Sequence, residues 1–226
     1  MSISLKSTEN VSTDGIKVLV YGPPGAGKTV LCATAPNPVI ISAESGLLSL
    51  RKSRLPYIEV KTFKELVEAY MWATTAKEAA QFGTICLDSL TEIGEVVLAD
   101  LKTKNKDPRK AYGEVQEMMT NLIRDFRDMK GKNVYFSCKE ETMRDGLTNA
   151  VTYRPMMPGT KLPEQIPYFF DEVFQMVAYT DPETKVTTRA LRTQIDVGVY
   201  AKDRSGALEQ WEHPDLSAIF NKIIHS

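Results

Sequence analysis

Histidine, cysteine and net charge are all scarce in this sequence, and each scarcity removes a class of function. Only His213 and His225 occur, both near the C-terminus, so a zinc site or a Ser-His-Asp triad is hard to assemble. The three cysteines, Cys32, Cys86 and Cys138, are odd in number and lack Cys-x-x-Cys spacing. Two lie in apolar strand-like runs, and buried free thiols are expected. Lys plus Arg number 28 against 29 for Asp plus Glu, so no global basic field points to nucleic acid, and any such surface must be local. No apolar run approaches the ~18 residues of a membrane span. Met1 to Lys17 also lacks the apolar middle of a signal peptide. A cytoplasmic protein without a membrane partner is expected.

What is present suits one α/β core. With 226 residues, 42% of them hydrophobic, the chain can bury one sizeable core and has little room for a second. A polar lead-in over residues 1–15 and a single domain over 16–226 are expected. Lys17 to Tyr21 is a short β-branched run that breaks into a glycine-rich turn, and Val30 to Ala35 is helix-compatible. Val39 to Ser42, Tyr57 to Val60 and Thr84 to Asp88 read as further strands. Phe63, Leu66, Val67, Tyr70 and Met71 recur at helical spacing, and Val115, Met118, Met119, Leu122, Ile123 and Phe126 do so most regularly. Asn133 to Cys138 is another strand, whereas Lys139 to Gln165, with Pro155, Pro158 and Pro163, reads as loop. Val173 to Tyr179 and Val186 to Gln194 flank the turn signal Thr180-Asp181-Pro182-Glu183 and read as an antiparallel pair. Leu216, Ile219, Phe220 and Ile223 mark a last helix. This order predicts an α/β fold with a mainly parallel β-sheet flanked by helices and a late antiparallel edge.

Gly22-Pro23-Pro24-Gly25-Ala26-Gly27-Lys28-Thr29 satisfies Gly-x-x-x-x-Gly-Lys-Thr between a strand and a helix, the context a P-loop requires. Glycines let successive N–H groups turn towards phosphate oxygens, and the helix start that follows at Val30 adds positive potential. Lys28 adds a full charge, and the Thr29 hydroxyl can ligate Mg²⁺. ATP and Mg²⁺ are the expected ligands. A P-loop needs an acid at the end of a neighbouring buried strand, and Asp88 fits; the same residue could instead cap the following helix. Glu44, after Val39 to Ser42, would emerge at the same carboxyl edge, where it could orient a water and accept its proton, or be an ordinary loop acid.

Taken in order, the P-loop, Ile41-Ser42-Ala43-Glu44-Ser45-Gly46, Cys86-Leu87-Asp88-Ser89-Leu90-Thr91 and Ala201-Lys202-Asp203-Arg204-Ser205-Gly206-Ala207-Leu208 resemble the RecA-like recombinase core. In particular the sequence is similar to small phage-borne ATPases associated with single-strand annealing and recombination. The resemblance spans roughly Ile16 to Ile223. It implies that Glu44 is the catalytic glutamate and Asp88 the Walker B acid. It further implies that Lys202 and Arg204 reach the γ-phosphate of a neighbouring subunit, in a homo-oligomeric ring or filament inside a bacterial host. Two departures stand out. Lys139 occupies the position of a γ-phosphate-sensing Gln, and no N-terminal domain is expected before Ile16.

Two segments are candidate single-stranded-DNA contacts. The run from Lys102 to Lys110 carries Lys102, Lys104, Lys106, Arg109 and Lys110 with a single acid and could track a phosphate backbone or be a solvated loop. Thr142 to Lys161 carries Arg144, Tyr153, Arg154 and Lys161, a mixture suited to stacked single strands, or to a plain connector. A DNA-dependent ATPase leads the functional readings. A slow nucleotide switch and a small-molecule kinase are the alternatives.

Overall fold

Parallel strands with both faces covered need continuous apolar runs, and four such runs build the centre of this chain. The structure, a computed structural model, describes residues 14–44, 47–105 and 107–226. β1 (Lys17–Gly22), β2 (Pro38–Ser42), β4 (Thr84–Asp88) and the first half of β5 (Asn133–Arg144) are almost wholly buried, whereas β3 (Tyr57–Glu59) is a short edge strand. Helices α1 (Lys28–Leu31), α2 (Phe63–Thr75), α3 (Leu90–Lys104) and α4 (Pro108–Arg127) lie between them. After β5 come β6 (Val151–Pro155), α5 (Lys161–Gln165), β7 (Glu172–Thr180), β8 (Thr187–Arg192), β9 (Lys202–Asp203), β10 (Trp211–Glu212) and α6 (Leu216–Ile224).

The sheet order is β10-β8-β7-β1-β5-β4-β2-β3, with β6 paired to β5 and β9 to β7. Every pairing from β7 across to β3 is parallel, and β8, β9 and β10 add the antiparallel edge. The observed class is thus the mainly parallel α/β sheet with a late antiparallel edge.

Strand alternation divides the interior into two cores. Leu19, Tyr21, Leu87 and Phe136 pack with residues of α2, α3 and α4 on one face, while Val18, Val20, Cys86 and Tyr135 pack with α1 and α6 on the other. Phe126 of α4 sits edge-on to Tyr70 and Phe136, with centroids 5.0 and 6.4 Å away. Short polar side chains cap the helix starts: Thr62 with Glu65 for α2, Ser89 for α3, Asp107 for α4 and Asp215 for α6. All three cysteines are buried and free.

Three local expectations change. The helix after the glycine-rich turn is only Lys28–Leu31, tightened through Cys32–Thr34 and stopped at Ala35, because a residue preceding proline avoids the helical region. In α2 the buried line is Leu66, Ala69 and Ala73, leaving Val67 and Met71 exposed. Lys139 to Gln165 is not all loop: β5 runs on to Arg144 and pairs antiparallel with β6, Arg144 opposite Val151. The β5 arm of that hairpin is mostly charged, and the Gly, Pro and polar residues around it mask the short alternation of Val151, Tyr153 and Pro155.

Lys17 is 6% exposed. Its ammonium donates to the carbonyls of Met129 (2.8 Å), Asp14 (3.3 Å) and Lys132, closing the amino edge of the sheet, and burial lowers its pKa. Lys17→Met keeps the apolar stem and removes these donors. It is expected to lower stability by about 1.5–3 kcal/mol, read as a lower urea midpoint at an unchanged slope.

Candidate active site

Parallel register delivers the site. Gly22 pairs with Lys139 and Ser42 with Asp88, so β1, β2 and β4 end at one edge beside the midpoint of β5, where α/β ligands bind. Gly25 and Gly27 take φ values of 77° and 110°, which glycine adopts at little cost. A Cβ on Gly22 would lie 2.5 Å from the Met176 carbonyl oxygen, so the strand can leave the sheet there only as glycine. The Tyr135 hydroxyl donates to the Lys28 carbonyl at 2.8 Å and pins the helix start. A cleft of about 720 Å³ opens over the loop.

Lys28 Nζ donates to the carbonyls of Gly22 (2.7 Å) and Pro23 (3.0 Å), and burial lowers its pKa against the pull of nearby acids. Asp88 is 2% exposed. Its Oδ2 accepts from the Thr29 hydroxyl at 2.8 Å and its Oδ1 from Ser137 on β5. Burial raises its pKa, and those two hydrogen bonds oppose the rise. The helix cap is Ser89 rather than Asp88, which leaves the Asp88 carboxylate to Thr29 and Ser137. Glu44 Oε1 accepts from Ser89 Oγ at 2.5 Å, which holds it beside Asp88. Hydroxyl and carboxylate oxygens suit Mg²⁺, which takes few protein ligands and shares its sphere with water and phosphate. Thr29 and Asp88 are the residues that could hold it. Among the described residues no group of three or more His, Cys, Asp or Glu could hold a metal.

Lys28, Thr29, Glu44, Asp88 and Lys139 all line this cleft. Lys139, at the Gln position of the resemblance, pairs with Glu92 of α3 at 2.6 Å. Two contributors had no local signal. Ser137 is an ordinary strand serine until β5 is placed beside β4. Arg189 comes from β8, and its Nε donates to the Ala26 carbonyl at 3.0 Å.

Other predicted residues are not brought here. β9 pairs with Glu172 and Val173, the amino end of β7, which lies beside Val18 and Leu19 of β1. Lys202 and Arg204 therefore sit at the edge opposite the loop. Lys202 Nζ donates to the Pro167 carbonyl at 2.8 Å, and Arg204 pairs with Asp171 at 2.5 Å. The basic run expected as one loop is divided: Lys102 and Lys104 end α3, and Arg109 and Lys110 open α4. Lys106 lies outside the described residues, as do Ser45 and Gly46. Lys104 pairs with Asp100 and Lys110 with Glu114, while Lys102 lies 5.1 Å over the Tyr112 ring. Arg144 is exposed at the end of β5. Arg154, expected among the single-stranded-DNA contacts, is instead 7% exposed and paired with Glu141 (2.8 Å) and Glu164 (3.5 Å), because β6 turns that side chain inward.

A glycine-rich loop between a central parallel strand and a helix, with an acid at the end of a nearby strand, defines a P-loop α/β domain. Residues 14–205 match the AAA domain family, and the chain belongs to it. Among solved structures it is similar to a KaiC-like protein from the hyperthermophilic archaeon Pyrococcus horikoshii OT3, at 12% identity over 81% of this chain and 80% of that one, TM-score 0.42. It is also similar to the RadB recombinase, at 12% identity over 81% and 83%, TM-score 0.45. Among curated proteins, none matches its sequence significantly. Among the described residues no helix is long and apolar enough to cross a membrane.

Glu172 lies 1% exposed beneath the Lys202–Arg204 turn. Burial first, and then the nearby Asp203 charge, raise its pKa from 4.5 to about 8. Between those values the folded chain holds a proton that the unfolded chain has released, so stability falls as pH rises through the window. Glu172→Gln is expected to melt above wild type at about pH 8.5 and near it at about pH 4.5, measured by thermal unfolding at both.

Proposed function

We propose that the chain is a Mg²⁺-dependent ATPase of the RecA-like type, acting as a homo-oligomer and stimulated by single-stranded DNA. Its setting would be phage-type recombination or single-strand annealing in the cytoplasm of a bacterial host, with residues 16–226 as one ATPase domain. The convergence of Thr29, Asp88 and Glu44 at one end of the phosphate loop carries the reading. In it the backbone from Gly22 through Val30 and the Lys28 ammonium hold the nucleotide phosphates. Thr29 and Asp88 would hold Mg²⁺, which would supply positive charge to the phosphate oxygens. Glu44, oriented by Ser89, takes the proton of the attacking water. Lys202 and Arg204, which lie away from the loop of their own chain, serve the site of a neighbour. DNA contact falls to Lys102, Lys104, Lys106, Arg109, Lys110 and Arg144. The surface ion pairs of Lys104 and Lys110 are weak and exchangeable for phosphates.

Glu44→Gln is expected to bind MgATP like wild type and to lose turnover by about 10²–10⁴-fold, and Lys28→Ala to lose binding. Normal turnover in Glu44→Gln would remove that residue from the base role. Arg204→Ala mixed with Glu44→Gln is expected to recover activity that neither shows alone, since each supplies what the other lacks. The function itself is tested by ATP hydrolysis with Mg²⁺, with and without single-stranded DNA, across salt and protein concentrations. Stimulation that fades with salt and grows with protein concentration is expected. Hydrolysis indifferent to DNA would favour the slow switch or the small-molecule kinase instead.

A further inference from the structure

β7 does not stop where β1 stops. Its Gln175 pairs with Tyr21, the penultimate residue of β1, and the strand continues to Thr180 paired with β8. The β7–β8 hairpin therefore projects past the carboxyl edge of the sheet and walls one side of the phosphate loop. Leu191 of β8 is buried in the core that holds Ala26 and Leu31, so the strand's inward face is the one turned to the loop. Arg189, two residues earlier on that face, crosses the loop itself. Its Nε donates to the Ala26 carbonyl at 3.0 Å, and a Cβ placed on Gly27 would lie 3.2 Å from its Cδ and 3.3 Å from its Nε. Gly27 thus serves twice, once for its φ of 110° and once by leaving room for the arginine stem. The guanidinium lines the same cleft as Lys28 and Thr29. Among the described residues no carboxylate pairs with it, although Asp88, Glu44 and Glu140 line the cleft.

We infer that Arg189 is a phosphate-binding residue supplied in cis by the hairpin, taking a nucleoside di- or triphosphate through its phosphate chain. This rests on the proposed nucleotide site and deepens it. A guanidinium anchored by Nε to a backbone carbonyl keeps its terminal N–H groups for phosphate oxygens, for which its planar fork is suited. Sheet order decides which part of the reaction it serves. Asp88 and Glu44 follow β4 and β2, on one flank of β1, whereas β7 and β8 lie on the other. Arg189 thus approaches the loop from the side away from the metal acid and the proposed base. It acts in holding the ligand and takes no part in the attack on it.

The test measures binding of MgADP and MgATP, inhibition by tripolyphosphate, and steady-state turnover for wild type, Arg189→Ala and Arg189→Lys, using the full chain. Loss of a charge-assisted hydrogen bond is expected to raise Kd for both nucleotides, and KM with them, by about tenfold in Arg189→Ala. The same variant should weaken tripolyphosphate to a similar degree, change kcat far less than KM, and leave melting of the nucleotide-free protein in place. Arg189→Lys should recover part of the affinity. Unchanged binding of both nucleotides, or a loss seen with nucleotides and not with tripolyphosphate, overturns the inference; the second result would assign Arg189 to the base. A fall in kcat at unchanged Kd overturns it as well. If wild type itself binds no nucleotide, the nucleotide site falls, and the role of Arg189 with it. If wild type and Glu44→Gln both bind while Arg189→Ala binds equally well, only the Arg189 assignment is lost.

Discussion

The alignment of parallel strand ends is the constraint on which the remaining features depend. Gly22 and Lys139 are neighbours across β1 and β5, and Ser42 and Asp88 across β2 and β4. Asp88 can reach Thr29 only because one strand, β5, separates its own strand from β1, and Ser137 on that strand bridges the gap by donating to the other carboxylate oxygen. A slip of one residue in β4 or β5 would turn Asp88 or Ser137 to the opposite face of the sheet. The two-sided apolar burial of β1, β4 and the first half of β5 opposes such slips, since each would exchange residues between two differently shaped cores.

That dependence explains what could be read from the sequence. The phosphate loop is local: its glycines, lysine and threonine carry their reason in their spacing. Asp88 and Glu44 required only that buried strands run parallel, which the alternation of apolar runs and helical stripes already implied. The α4 stripe through Val115, Met119 and Phe126 was legible because one wide buried face repeats at helical spacing. The β5–β6 hairpin was not, because charged residues dominate its β5 arm and Gly and Pro are frequent around it. Arg154 was expected to face DNA, since nothing local reveals that β6 sets it between Glu141 and Glu164. Arg189 is the clearest case: its strand was expected, yet its contact with Ala26 joins residues far apart in the chain and depends on β7 outrunning β1.

The two flanks of the loop differ in chemistry as well as position. Acids stand on the β4 and β2 side, where a bound metal and a proton acceptor would be useful; Arg189 stands on the β7–β8 side, and among the described residues no carboxylate pairs with it. Separation keeps Arg189 from forming an ion pair with Glu44 or Asp88, a pairing that would quench both. Burial raises the pKa of Asp88 and lowers that of Lys28. In a cleft that opposes ionisation of either sign, a bound metal and polyphosphate would supply the charges that satisfy both.

The same strand polarity constrains any assembly. The phosphate loop lies at the carboxyl edge of the sheet, and Lys202 and Arg204 lie at the amino edge, against the start of β7. If these two residues act on a neighbour's nucleotide, the amino edge of one chain must face the carboxyl edge of the next. Joined head to tail, such an interface is heterologous, bringing different surfaces together. Repetition of the contact gives a ring where the rotation closes and a filament where it does not. Glu172 lies under the turn that presents Arg204, and Asp171 holds the arginine directly. In that case a neighbour's phosphates would compete with Asp171 for Arg204, and the competition would tie subunit contact to the presence of nucleotide.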